Sequence, residues 1–204
     1  MKKITLSICI ATLLWFIMFS PWTASHVNFW YCMTSSGIIL TSLALIWGRE
    51  LIKDISVDLK NIALGISIAI VLWGLFWIGD KVSQWMFDFA RPEVNTIYDM
   101  KGMTSPYFIA ITLLFIIGPA EEIFWRGFIQ RNLMKQWGAN TGFILTTLAY
   151  TLIHIWSFNF MLVMAALIVG FLWGLLYRIN QKWLFPLILS HALWDCAAFV
   201  IFPF

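Results

Sequence analysis

Seven apolar runs, at roughly 4–20, 27–48, 61–79, 107–130, 141–157, 159–177 and 183–202, fix what this chain can fold into. Each approaches the ~20 residues that an α-helix needs to cross a ~30 Å hydrocarbon core. Lipid offers the backbone no hydrogen bonds, and the runs are continuous rather than alternating, so helices are favoured over a barrel. The expected fold is all-α: one polytopic transmembrane helical bundle of about seven spans, or six to eight depending on where the ends are drawn. Composition agrees. Hydrophobic residues make up 61% and charged residues 11% of the 204, a balance that no soluble domain of this length keeps in solution. The formal net charge of +3 is too small to suggest a nucleic-acid partner. The lipid bilayer is the partner that composition calls for.

The basic residues give an orientation. Lys2, Lys3, Arg49, Lys53, Lys60, Arg126, Arg131, Lys135, Arg178 and Lys182 fall on one side of the alternating loops, and only Lys81, Arg91 and Lys101 on the other. This asymmetry puts the N-terminus in the cytoplasm, with a bacterial plasma membrane as the expected location. The first run resembles a signal peptide in its flanks. Bulky Trp15, Phe16, Phe19 and Trp22 crowd the candidate cleavage region, however, and favour a retained anchor. Residues 1–105 thus read as N-terminal transmembrane helices with an outer polar loop at 80–106, in which Val82–Phe87 is expected to form an interfacial helix. The segment 49–60 reads as a solvated connection. Cys9, Cys32 and Cys196 have neither paired nor C-x-x-C spacing, so no disulfide framework or thiolate metal site is implied. Gly170-x-x-x-Gly174 predicts close helix packing within the chain, and tryptophans near span ends suggest an aromatic belt.

The informative residues are the ionisable ones inside the runs. Each costs ~2.5–3.5 kcal/mol near the bilayer centre even on lenient scales. At 1.5 Å per residue, Glu121 lies ~23 Å from the outer end of its helix, His154 ~21 Å along the next, and His191 and Asp195 ~12 and ~18 Å along the last. Three helices therefore bring polar groups to overlapping depths. Glu122 and Arg126 stand four apart on one face and are expected to neutralise each other. Glu121 points roughly 100° away and is left to face the other groups as a candidate general base. His191 and Asp195 also share a face. Gly118-Pro119 and Pro186 are expected to break the helices ahead of Glu121 and His191, suggesting a wet cavity. His26, near an outer boundary, reads as a structural histidine.

The motif Glu121-Glu122-Ile123-Phe124-Trp125-Arg126 resembles the E-E-x-x-x-R signature of the CAAX protease and bacteriocin-processing (CPBP, or ABI) family of intramembrane proteases. Tyr150-x-x-x-His154 is similar to that family's F-x-x-x-H, and His191-x-x-x-Asp195 to its H-x-x-x-N or D. The resemblance implies that 106–204 is the catalytic core of an intramembrane endopeptidase. In it, Glu121 activates a water with help from His154, while His191 and Asp195 support the oxyanion and Glu122 and Arg126 support the site. Two departures stand out: Tyr150 replaces Phe, and Asp195 stands where prenyl-protein proteases carry Asn. The second shifts the expected substrate toward peptides or membrane-anchored proteins.

Family members are often named metalloproteases, and Glu121, His154, His191 and Asp195 offer a mixed N/O set of the kind Zn²⁺ accepts. With no H-E-x-x-H present, the reading taken is that no cofactor is required, with Zn²⁺ as the alternative. Two non-proteolytic functions compete: a bacteriocin self-immunity or scaffold protein using the same pocket, and a small transporter, which the absence of an internal repeat disfavours.

Overall fold

A computed structural model describes residues 2–204. The helices are α1 (Lys2–Phe19), α2 (Phe29–Trp47), α3 (Leu59–Met86), α4 (Ala90–Asp99), α5 (Pro106–Trp137), α6 (Ala139–Leu152), α7 (Phe160–Ile179) and α8 (Leu184–Cys196). Six segments are long and apolar enough to cross a membrane: α1, α2, α3, α5, α7 and Gln181–Ile201, which contains α8. The apolar run at 141–157 forms a shorter helix. The 14 residues of α6 continue into a 3₁₀ turn of 5, Ile153–Ser157. At rises of 1.5 and 2.0 Å this gives about 31 Å, enough for the hydrocarbon core. The protein is thus an all-helical integral membrane bundle with six candidate spans, within the expected range of six to eight, and α6 as a shorter apolar helix.

Side-chain caps set several helix starts by satisfying orphan N–H groups. Asn28 Oδ1 accepts from the N–H groups of Trp30 and Tyr31 at 3.0 and 3.2 Å, and Asn159 Oδ1 accepts from Leu162 N–H at 2.8 Å. Asp58 caps α3 through Asn61 N–H, which holds its carboxyl below the usual carboxylate range.

Helix α5 and the last span form the centre, with over half of each buried against a third or less elsewhere. They meet where Gly118 faces Ala192, and a Cβ on Gly118 would lie 2.7 Å from the Ala192 backbone. The Gly170-x-x-x-Gly174 pair works within the chain. Gly170 is filled by the Tyr150 ring and Gly174 by the Phe143 ring, while their exposed carbonyls accept from Arg126 Nη2 at 3.3 Å and Gln130 Nε2 at 2.7 Å. Two i, i+4 pairs on facing helices are laced together in this way.

Several local expectations are corrected. Val82–Met86 continues α3 instead of forming an interfacial helix, because its apolar residues extend the third run. The separate helix of the outer loop is α4, which turns Val94, Ile97 and Tyr98 toward the bundle. Pro186 breaks nothing: it sits in the first turn of α8, where no intrahelical N–H is needed. Gly118-Pro119 does perturb its helix, as a π turn at Leu113–Ile117 in which Gly118 N–H reaches back five residues to the Leu113 carbonyl. A second π segment covers Ile123–Gln130. Arg126, counted above as a loop cation, is 1% exposed inside α5 because Glu122 neutralises it. The basic bias survives its removal. Of the tryptophans, Trp22, Trp77, Trp85 and Trp137 are exposed as a belt would be, whereas Trp15, Trp30, Trp125 and Trp173 are buried in the core.

Candidate active site

The first π turn is followed at once by Glu121 and Glu122, so the perturbed stretch of α5 presents both carboxylates to the interior. Glu122 is fully buried. Its Oε1 accepts from Arg126 Nη1 at 2.9 Å and from His191 Nδ1 at 2.8 Å. Glu122 is therefore more than the partner of Arg126: it is also the group that orients the α8 histidine. With a carboxylate as acceptor, the proton on Nδ1 is fixed, and Nε2 is directed toward Asp195 Oδ2 at 3.5 Å. The His191 ring stacks on Trp173, with centroids 3.9 Å apart and planes at 19°. Trp173 is anchored in turn by its Nε1 donating to Ser190 Oγ at 3.0 Å. The guanidinium of Arg126 lies over the Tyr150 ring at 4.9 Å and near that of Trp173 at 5.6 Å, so one buried cation organises both aromatic groups.

Glu121 is 7% exposed and has one hydrogen-bond partner among the described residues. The hydroxyl of Tyr150 donates to its Oε2 at 2.8 Å. Replacing Phe by Tyr within the second motif is therefore not a minor variation; it puts a donor on the candidate base. His154 lies in the 3₁₀ turn ending α6. Its Nδ1–H donates to the carbonyl of Tyr150 at 2.8 Å, which leaves Nε2 as an acceptor. That lone pair is taken by Trp15 Nε1–H of α1 at 3.1 Å, so neither ring nitrogen touches Glu121.

Glu121, Tyr150, His154, His191 and Asp195 all line one cavity of about 420 Å³, whose remaining wall is almost entirely apolar and aromatic. The depth coincidence inferred along three helices is thus a meeting in space for all four of the residues on which it was based. Glu122 and Arg126 stand behind the cavity wall. Sequence reasoning missed Trp15, Tyr150 as a donor, and Trp173. For Tyr150 the signal was present, as a polar atom where the motif has none. Trp15 and Trp173 gave no signal separable from that of a membrane-facing aromatic residue.

These donors do not form a ready metal site. No group of three His, Cys, Asp or Glu among the described residues is disposed to hold an ion, and the one lone pair on His154 already receives an N–H.

Compared with known proteins, residues 103–197 match the family model described as type II CAAX prenyl endopeptidase, Rce1-like. The matched segment, a little under half of the chain, is similar to the CAAX-protease family. All three motifs lie inside the CAAX-protease segment, and so do the five cavity residues described above. No curated protein and no solved structure matches the chain. The matched family is described as one of endopeptidases, and the six apolar spans make this chain an integral membrane protein.

Proposed function

We propose that the protein is an intramembrane endopeptidase in which Glu121 is the general base. Glu121 Oε2 is held by Tyr150, leaving Oε1 to take a proton from water in the cavity as the water attacks the scissile carbonyl. The tetrahedral oxyanion is met by His191 and Asp195, which face each other across 3.5 Å and must hold a proton between them to do so. Whichever carries it is the donor; an ionised Asp195 beside neutral His191 would offer none. Collapse of the intermediate breaks the C–N bond, and Glu121 passes the proton it took from water to the leaving amine. Glu122, Arg126 and Trp173 keep His191 in place and need not touch the substrate.

His154 takes part by exchanging donors. For its Nε2 to accept from the attacking water, the Trp15 indole must yield that lone pair, one N–H donor giving way to one O–H donor. Proton transfer by Glu121 needs no metal and no covalent acyl-enzyme. The apolar wall suits an extended peptide or membrane-anchored protein, and the basic bias of the loops supports a cytoplasmic N-terminus in a bacterial plasma membrane.

The observation that carries this reading is the convergence of Glu121, His154, His191 and Asp195 on one cavity, with Tyr150 bonded to Glu121. Its test is a proteomic comparison of cells carrying the wild type with cells carrying Glu121→Ala. Intact membrane-associated substrates should accumulate in the variant and their cleaved termini disappear. Identical fragment profiles at equal expression would refute it, and a protective phenotype surviving Glu121→Gln would favour the self-immunity reading.

A further inference from the structure

The catalytic cluster lines one part of the cavity, and Phe204 lines another. After the π turn Ala197–Ile201 closes with Phe202 N–H donating to the Ala197 carbonyl at 2.7 Å, the chain leaves the helix. Residues 202–204 are then held mainly through their backbone. Trp73 Nε1 of α3 donates to the Phe202 carbonyl at 3.0 Å, and Arg91 Nη1 of α4 donates to the Phe204 carbonyl at 3.1 Å. The Tyr98 hydroxyl accepts from Phe204 N–H at 3.0 Å while donating to the Ala198 carbonyl at 3.2 Å. Arg91 is aimed by Asn95 Oδ1 at 2.9 Å and by Asp80 at 3.6 Å.

The Phe204 ring packs near Trp73 and Phe76, at 5.7 and 6.4 Å between centroids, and lines the same cavity as Glu121. Phe202 is 61% exposed and Ile201 57% exposed, and beyond these bonds the Phe202 ring meets Trp73 edge-on at 6.4 Å. Two carbonyls and one N–H read by side chains, with one aromatic ring in the cavity, is the way an extended peptide is recognised. Contacts to the main chain bind any sequence, and the ring pocket adds selectivity. Helix α4 is itself fixed, since Asn159 Nδ2 donates to the Glu93 carbonyl at 2.8 Å and Glu93 Oε2 accepts from Met161 N–H at 2.9 Å.

We propose that Trp73, Arg91 and Tyr98, of which Tyr98 lines the cavity, form a peptide-binding subsite at its edge, selective for an extended segment carrying an aromatic side chain and engaged here in cis by 202–204. A substrate must displace this segment, so residues 202–204 compete with cleavage. The proposal rests on the protease reading for its purpose, but binding can be measured without cleavage.

The test uses a fluorescently labelled Ile-Phe-Pro-Phe peptide and the full chain in lipid nanodiscs, read by fluorescence anisotropy. A tethered competitor acts at an effective concentration near the millimolar range, so Phe202→Ala/Phe204→Ala should bind the peptide about tenfold or more tightly than wild type. Adding Arg91→Ala and Tyr98→Phe should abolish that binding. In cleavage assays the double variant should show a lower KM at unchanged kcat. Trp73→Phe, which deletes only one donor to this segment, gives a second reading in a chain whose packing is kept: the bound peptide should leave faster. Equal peptide affinity in wild type and the double variant, or binding that survives loss of Arg91 and Tyr98, overturns the subsite. Peptide bound in the predicted pattern but never cut would instead count against the protease reading alone.

Discussion

Tyr150→Phe separates the chemistry of this site from its packing. The substitution removes one oxygen, and the ring that fills the notch at Gly170, meets Trp125 edge-on at 5.4 Å and lies under the Arg126 guanidinium at 4.9 Å is retained. What is lost is the donor to Glu121 Oε2 at 2.8 Å. A hydrogen bond to a charged group contributes about 1.5–3 kcal/mol. If that bond holds the general base in its reactive orientation, its loss appears in the barrier, and at 1.36 kcal/mol per decade kcat falls roughly 10- to 150-fold. KM should stay constant, because the hydroxyl points at Glu121 and not at the aromatic part of the cavity that receives substrate. The assay is single-turnover cleavage of a fluorogenic peptide in proteoliposomes, with thermal unfolding as a control for the fold. A variant that melts with the wild type and cleaves at the wild-type rate would refute the reasoning, since the hydroxyl would then be a passenger at the position where the family motif has Phe.

Three further outcomes follow from the geometry. Gly118→Ala would set a Cβ 2.7 Å from the Ala192 backbone, so α5 and α8 must separate; overpacking of this kind costs about 1–3 kcal/mol and should lower both the unfolding temperature in detergent and the cleavage rate. Arg126→Ala leaves Glu122 as an uncompensated charge at 0% exposure, which should destabilise the fold by about 3–5 kcal/mol and show as loss of monodisperse protein on size exclusion. Cleavage should be insensitive to 1,10-phenanthroline and to EDTA, measured alongside metal analysis of the purified protein; stoichiometric zinc with chelator-sensitive activity would contradict the metal-free mechanism.

The fold was legible in the sequence because lipid leaves the backbone one option per crossing, so the length of each apolar run carries nearly all the information. The i, i+4 pairs Glu122 with Arg126 and His191 with Asp195 were legible for a similar reason: helical spacing alone puts them on a shared face. Depth along each helix brought Glu121, His154 and the α8 pair to overlapping levels, and all four line one cavity. What helical spacing does not encode is which helices are neighbours. The Trp15–His154 bond joins residues 139 apart, and the stack of Trp173 on His191 depends on how α7 and α8 are rotated against each other. A buried indole and a membrane-facing one look alike in a chain with 13 tryptophans. The outer loop was misplaced by a few residues for a local reason: the apolar side chains of Val82–Met86 fit both an interfacial helix and the last turns of α3, and the chain takes the latter with Val82, Trp85 and Met86 left exposed.

The measurement that bears most directly on the central claim is single-turnover cleavage by purified wild type and Glu121→Gln in the same liposomes. Gln keeps the size of the side chain, and its amide oxygen can still accept from Tyr150, but it cannot take a proton from water. Removing a general base costs at least 10²-fold in typical enzymes. The account predicts that Glu121→Gln folds, binds peptide and cleaves at least about 100-fold more slowly. Cleavage by this variant at a rate close to wild type would place the base elsewhere and contradict it.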